Sequence, residues 1–129
     1  IRRTVREHDR TDTRWLDYEI DVSKLLDYPL MTDMRDPLTQ RFHRAKLHAD
    51  LLRPAAAADL LDDGAAARDY LDAVEEYVTA FDVAEAEARR LVETRMVDMV
   101  REAESRVGHR EVLLPAVGSE RSAARVVGD

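Results

Sequence analysis

Cysteine is absent from this 129-residue chain, which excludes disulfides, zinc–thiolate sites and a thiol nucleophile. Glycine and proline are scarce, four of each, and every one falls at a segment boundary or in the C-terminal stretch. Aromatic residues make up only 5%, poor material for strands, which favour aromatic and β-branched side chains. No apolar run approaches the roughly 18–20 residues that span a bilayer, and no signal-peptide pattern is present. Basic residues are outnumbered: the net charge is −7, which argues against nucleic acid as a partner, because such binders carry a basic footprint. Also missing are a glycine-rich phosphate loop, a G-x-S-x-G elbow and a kinase signature. With no Glu-x-x-His and no His-Glu-x-x-His, neither a di-iron bundle nor a zincin helix is indicated. These absences point to a chain without catalytic residues, metal or cofactor.

What the chain has in plenty is helix. Residues 65–107 contain no glycine or proline, a span far longer than the roughly 8–20 residues of an ordinary globular helix. Tyr70, Val74, Tyr77, Phe81, Ala84 and Ala88, then Val92, Met96, Met99, Ala103 and Val107, recur at steps of three and four. The spacing predicts one long helix, bounded by Gly64 and ended by Gly108 as a left-handed cap. Its extra four-residue steps relax a left-handed supercoil, so the pattern favours a bundle helix over a long two-stranded coiled coil. Leu71, Val78, Leu91, Val97 and Val100 widen the stripe. Glu75, Glu76, Asp82, Glu85 and Glu87 are assigned to the solvated side, so Glu85→Ala is expected to do little.

Two shorter helices precede it. Trp15, Tyr18, Val22 and Leu25 give a helix over 13–28, stopped at Pro29. Asp36 as N-cap and Pro37 at the first helical position open a second, over 37–53. Its seam is Leu38, Phe42, Ala45, Ala49 and Leu52, broadened by Leu47 and Leu51, and Pro54 stops it. Between the two, Leu30, Met31 and Met34 are expected to fold back as a lid on the core, and 55–63 to form a short turn. The fold expected is all-α: a small bundle built on the helix at about 65–107, with two shorter helices packed on it. The domain covers 13–108, after a basic lead-in at 1–12 read as solvated and before a tail at 109–129. In that tail Val112, Leu113 and Leu114 are expected to anchor, with a mobile stretch beyond Pro115.

Charge adds a pairing rule. The second helix carries Arg41, Arg44, Lys46 and Arg53, while 66–88 carries seven acids against Arg68. Opposite signs favour antiparallel pairing, each exposed pair contributing about 0–1 kcal/mol. The histidines, His8, His43, His48 and His109, are expected at surface or boundary positions.

The run WLDYEIDVSKLLDYPLMTDMRDPLTQRFHRAK, residues 15–46, resembles a segment of actinobacterial membrane proteins. The family it is most similar to is the soluble helical part of mycobacterial phage-shock-type membrane proteins, partners of phage shock protein A. The resemblance implies a cytosolic, membrane-tethered helical domain in envelope-stress signalling, and it transfers no functional residue. Two readings of function follow. The first is a non-enzymatic interaction domain for a helical partner or a second copy. Its partner surface is Leu91, Val92, Met96, Met99 and Val100, because the two short helices are too short to cover the distal half of the long one. Arg2, Arg3, Arg6 and Arg10 would be its membrane-proximal flank, below a tether expected upstream of Ile1, since the chain does not begin with Met. The alternative is a ligand-binding or regulatory domain with an inter-helix pocket lined by Trp15, Tyr70, Tyr77 and the methionine-rich segments.

Overall fold

The computed structural model describes the backbone of residues 1–117 and the side chains of residues 1–107. Helices α1 (Arg2–Ile20), α2 (Val22–Asp27), α3 (Pro37–Leu52) and α4 (Gly64–Val117) follow in order, with 3-10 turns at Pro29–Thr32 and Ala57–Leu60. Among the described residues there is no strand, and no helix is long and apolar enough to cross a membrane. The chain divides into two units, Ile1–Val92 and Glu93–Asp129. The all-α fold expected from periodicity is the fold observed: α1 and α3 pack on the first part of α4.

Local chemistry sets the boundaries. Asp21 leaves helical geometry (φ −104°, ψ 101°) and its carboxylate accepts from the Lys24 amide at 3.2 Å, so the single helix expected at 13–28 breaks into α1 and α2. Asp36 caps α3 by accepting from the Leu38 amide at 2.8 Å, with Pro37 at the first helical position. Asp63 supplies the same cap to α4, accepting from the Ala66 amide at 3.0 Å.

In the first unit α1 runs parallel to α4: His8 meets Tyr70, Asp12 meets Tyr77 and Tyr18 meets Glu85. Helix α3 runs antiparallel to α1, with Asp50 on His8 and Phe42 on Trp15, and hence antiparallel to α4 as the charges suggested. Trp15, Tyr18, Phe42, Phe81, Met31 and a column of alanines fill the centre. Phe42 stands edge-on to Phe81 and to Trp15, 5.3 Å between centroids in each pair, contacts worth about 0.5–1.5 kcal/mol beyond area burial. Leu30 and Met31 close the core as expected of the lid, held by the Thr39 hydroxyl donating to the Leu30 carbonyl, whereas Met34, expected with them, is exposed.

Four expectations are corrected. The boundary between a lead-in at 1–12 and a domain at 13 falls inside α1, because Thr4, His8 and Thr11 are buried. Helix α4 runs past Gly108 to Val117; one glycine costs about 1 kcal/mol and does not by itself stop a propagating helix. Leu47 and Leu51 do not broaden the α3 seam: they are 61% and 75% exposed. Of the four cations at 37–53, among the described residues only Arg41 reaches an α4 acid, Glu76, at 2.9 Å, while Arg53 and Lys46 pair with Asp9, Asp12 and Asp50. The proposed anchor at Val112–Leu114 and the stretch beyond Val117 lie outside the described side chains and residues.

Candidate interaction surfaces and the polar networks beneath them

Helix α1 is polar on both its faces. Thr4, His8, Thr11, Trp15 and Tyr18 form its buried face. Arg2, Arg3, Arg6 and Arg10 all point to solvent, and at about 100° per residue they fall within one arc of roughly 100°. Arg10 pairs with Glu7 at 3.1 Å. Among the described residues Arg2, Arg3 and Arg6 have no carboxylate within 4.0 Å. Arg2 and Arg6 join Arg53, Val5 and Pro54 around a shallow hollow of about 290 Å³, and Arg53 is already committed to Asp9 at 2.6 Å.

Under this face lies a network that periodicity did not announce. The fully buried His8 sits between Tyr70, whose hydroxyl is 2.8 Å from Nδ1, and Asp50, whose Oδ1 is 2.8 Å from Nε2. Burial would raise the Asp50 pKa, but hydrogen bonds from Lys46 and His8 outweigh it and hold the group below the usual carboxylate range. An ionised Asp50 only accepts, so Nε2 carries a hydrogen. The Tyr70 hydroxyl, with no other partner among the described residues, then donates to Nδ1, an assignment made from the network. Tyr77 donates to Asp12 at 2.8 Å, and burial together with that ionised acceptor pushes its pKa far up. Nε2 of His8 and carboxylate oxygens of Asp12 and Asp50 lie within 4.8 Å of one another, a donor set for a divalent cation. The Lys46 ammonium, 2.9 Å from Asp50 and 3.7 Å from Asp12, already supplies positive charge to both carboxylates.

A second network closes the other end of α1. Glu85, assigned to the solvated side from sequence, is only 7% exposed. It accepts from the Tyr18 hydroxyl and from Arg14 Nη2, each at 2.7 Å, while Arg14 Nη1 donates to Asp82 at 2.8 Å. Burial would raise its pKa; Tyr18 and Arg14 reverse that and hold it below the usual carboxylate range.

The partner surface expected from sequence falls on α4. Leu91 and Val92 end the first unit, exposed and half-buried respectively. In the second unit Met96 is 59% exposed, Met99 61% and Val100 56%, with Val97 and Val107 also open. The side chains expected to line an inter-helix pocket are core instead. Trp15 packs on Phe42 and His43, and Tyr70 and Tyr77 are buried with their hydroxyls on His8 and Asp12. Met31 is buried and Met34 exposed.

The polar networks were missed because His8, Thr4, Thr11 and Glu85 are not apolar. A signal existed: stepping back from Tyr18 and Trp15 by the same three and four residues gives Thr11, His8 and Thr4. Comparison of the chain with family models, with curated proteins and with solved structures finds no match.

Proposed function

We propose that this chain is a non-enzymatic helical protein-interaction domain whose helical partner lies along the stripe Met96, Met99 and Val100, with Leu91 and Val92 leading into it. The observation that carries this reading is the exposure of that stripe, on the same helix whose earlier seam residues Tyr70, Val74, Tyr77, Phe81, Ala84 and Ala88 are buried. An exposed apolar row of this kind marks an association surface, and methionines adapt to a partner's shape. The burial of Trp15, Tyr70 and Tyr77 weighs against the alternative of a ligand pocket between the helices. Met96→Glu with Met99→Glu is expected to leave the melting temperature within about 4 °C, since surface substitutions stay within about ±0.5 kcal/mol, and to abolish association in light scattering or partner co-purification. A monomeric wild type whose stability and partners are both unchanged by the pair of substitutions refutes the reading.

We further propose that the domain works at the cytosolic face of a membrane in envelope-stress signalling, as the resemblance of residues 15–46 to phage-shock-type proteins implies. The support in the structure is the exposed row Arg2, Arg3, Arg6 and Arg10, three of whose members have no carboxylate partner among the described residues. Basic residues near an anionic leaflet contribute about 1 kcal/mol each. Arg2→Gln with Arg3→Gln and Arg6→Gln is therefore expected to weaken co-sedimentation with phosphatidylserine-containing vesicles at least tenfold, with no binding to neutral vesicles. Equal binding of wild type and triple variant refutes the membrane placement.

A further inference from the structure

We propose that the occupant of the distal stripe is a second copy of this chain, paired antiparallel about a two-fold axis beside Val97 and Asp98; this rests on the interaction reading above. Val92, Met96, Met99 and Ala103 follow one another at four, three and four residues, the spacing of a two-helix seam. Arg95 and Glu102 each stand one residue before a seam residue, on the same side of the seam, and carry opposite charge.

The arrangement of these flanking charges decides the geometry. In a parallel, in-register pair each flanking residue meets the one about five positions further along the other helix. Arg95 would then face Val100 and Glu102 would face Val107, leaving both charges against apolar side chains. In an antiparallel pair, flanks on the same side face each other. Arg95 meets Glu102 of the second copy, and the two-fold axis repeats the contact in reverse. Met96 then packs on Met99 of the second copy, and Val92 on Ala103. Among the described residues Arg95 has no carboxylate within 4.0 Å, and Glu102 has only the exposed Arg106 at 3.7 Å, so little is given up on pairing. One layer further out, Arg89 would face Arg106 of the second copy, and like charges end the contact there. So short a seam lies below the roughly 1,200–2,000 Å² of a stable specific interface. The dimer is accordingly reversible and concentration-dependent.

Sedimentation equilibrium of the full chain tests this. The average mass is expected to rise with concentration from 14.7 kDa toward twice that value, less so at high salt. Arg95→Glu alone, or Glu102→Arg alone, turns two attractive pairs into two repulsive ones and is expected to raise the dissociation constant about tenfold. Carrying both substitutions on one chain restores wild-type association. Mixing the two single variants restores it as a heterodimer. Arg95 and Glu102 are both exposed, so the variants are expected to stay folded, which circular dichroism checks. A chain that stays monomeric across the concentration range overturns the second copy as occupant. If the Met96→Glu and Met99→Glu variant then loses a different helical partner, the interaction reading stands without it. A dimer with the same dissociation constant in the single and double charge variants overturns the antiparallel pairing.

Discussion

Glu85→Ala is expected to destabilise the domain by about 3 kcal/mol, against a total of about 5–15 kcal/mol for a domain of this kind. Nothing in the helical pattern suggests it, since Glu85 sits among Asp82 and Glu87 on what reads as a solvated flank. The structure gives the reason. The Tyr18 hydroxyl is buried and donates to Glu85 Oε2, and Arg14 donates to Oε1. Removing the acceptor leaves the hydroxyl unsatisfied, at about 1–3 kcal/mol, and strips the half-buried Arg14 of its buried partner, a loss only partly offset by Asp82 and by water. At about 4–8 °C per kcal/mol for a domain of this size, the melting temperature should fall by roughly 12–24 °C. Glu85→Gln keeps the shape and one acceptor and should cost less than half as much.

The pH dependence follows from the same contacts. Glu85 has its folded pKa below its ordinary value of 4.5. A carboxyl depressed on folding contributes stability that is fully present above its unfolded pKa and lost as pH falls through the folded one. The wild type should therefore lose this share of stability below about pH 4.5, and the Gln variant should lose less over the same window. Thermal melts of wild type, Glu85→Gln and Glu85→Ala between pH 3 and 7 check both statements. An alanine variant within about 0.5 kcal/mol of wild type would show that water replaces the carboxylate.

The contrast between Glu85 and Phe81 shows what was legible in the sequence. Burial of Phe81, Tyr77, Phe42 and Trp15 follows from apolar side chains at steps of three and four, and the all-α fold with its long helix follows from that pattern together with the placing of proline and glycine. Side-chain polarity misleads at the same spacing. His8 and Thr11 are buried because each finds a partner, Tyr70 and Asp50 for one and the Glu7 carbonyl for the other. Those partners lie on other helices or one turn back, and a period says nothing about them. Leu47 and Leu51 mislead in the opposite sense: they are apolar and adjoin the seam, yet among the described residues α3 buries the side of Thr39, Phe42, Ala45 and Ala49 and leaves these two exposed. The exposed apolar row on α4 was legible where the networks were not, because its side chains are apolar. Met96 and Met99 continue an apolar row in the sequence, and both are exposed.

The same reasoning gives His8→Ala an expected cost of about 3 kcal/mol, although the residue lies in a stretch of α1 that looks like a charged surface helix. The imidazole is fully buried, its ring 5.8 Å from those of Tyr70 and Tyr77, so truncation leaves a cavity as well as broken hydrogen bonds. Tyr70→Phe separates the two contributions. It removes the donor to Nδ1 while keeping the aromatic packing, and should cost about 1–2 kcal/mol. If the hydroxyl exists to serve His8, the second substitution should cost little once the first has been made. An unsatisfied Tyr70 hydroxyl is part of the His8→Ala penalty, and Tyr70→Phe removes that penalty. The double variant is therefore expected to lie about 1 kcal/mol or more above the sum of the singles in stability, as urea unfolding of the four proteins would measure. Additivity within about 0.5 kcal/mol would show that the Tyr70–His8 hydrogen bond contributes nothing. The cost of His8→Ala would then belong to the cavity and to Asp50, left with Lys46 alone.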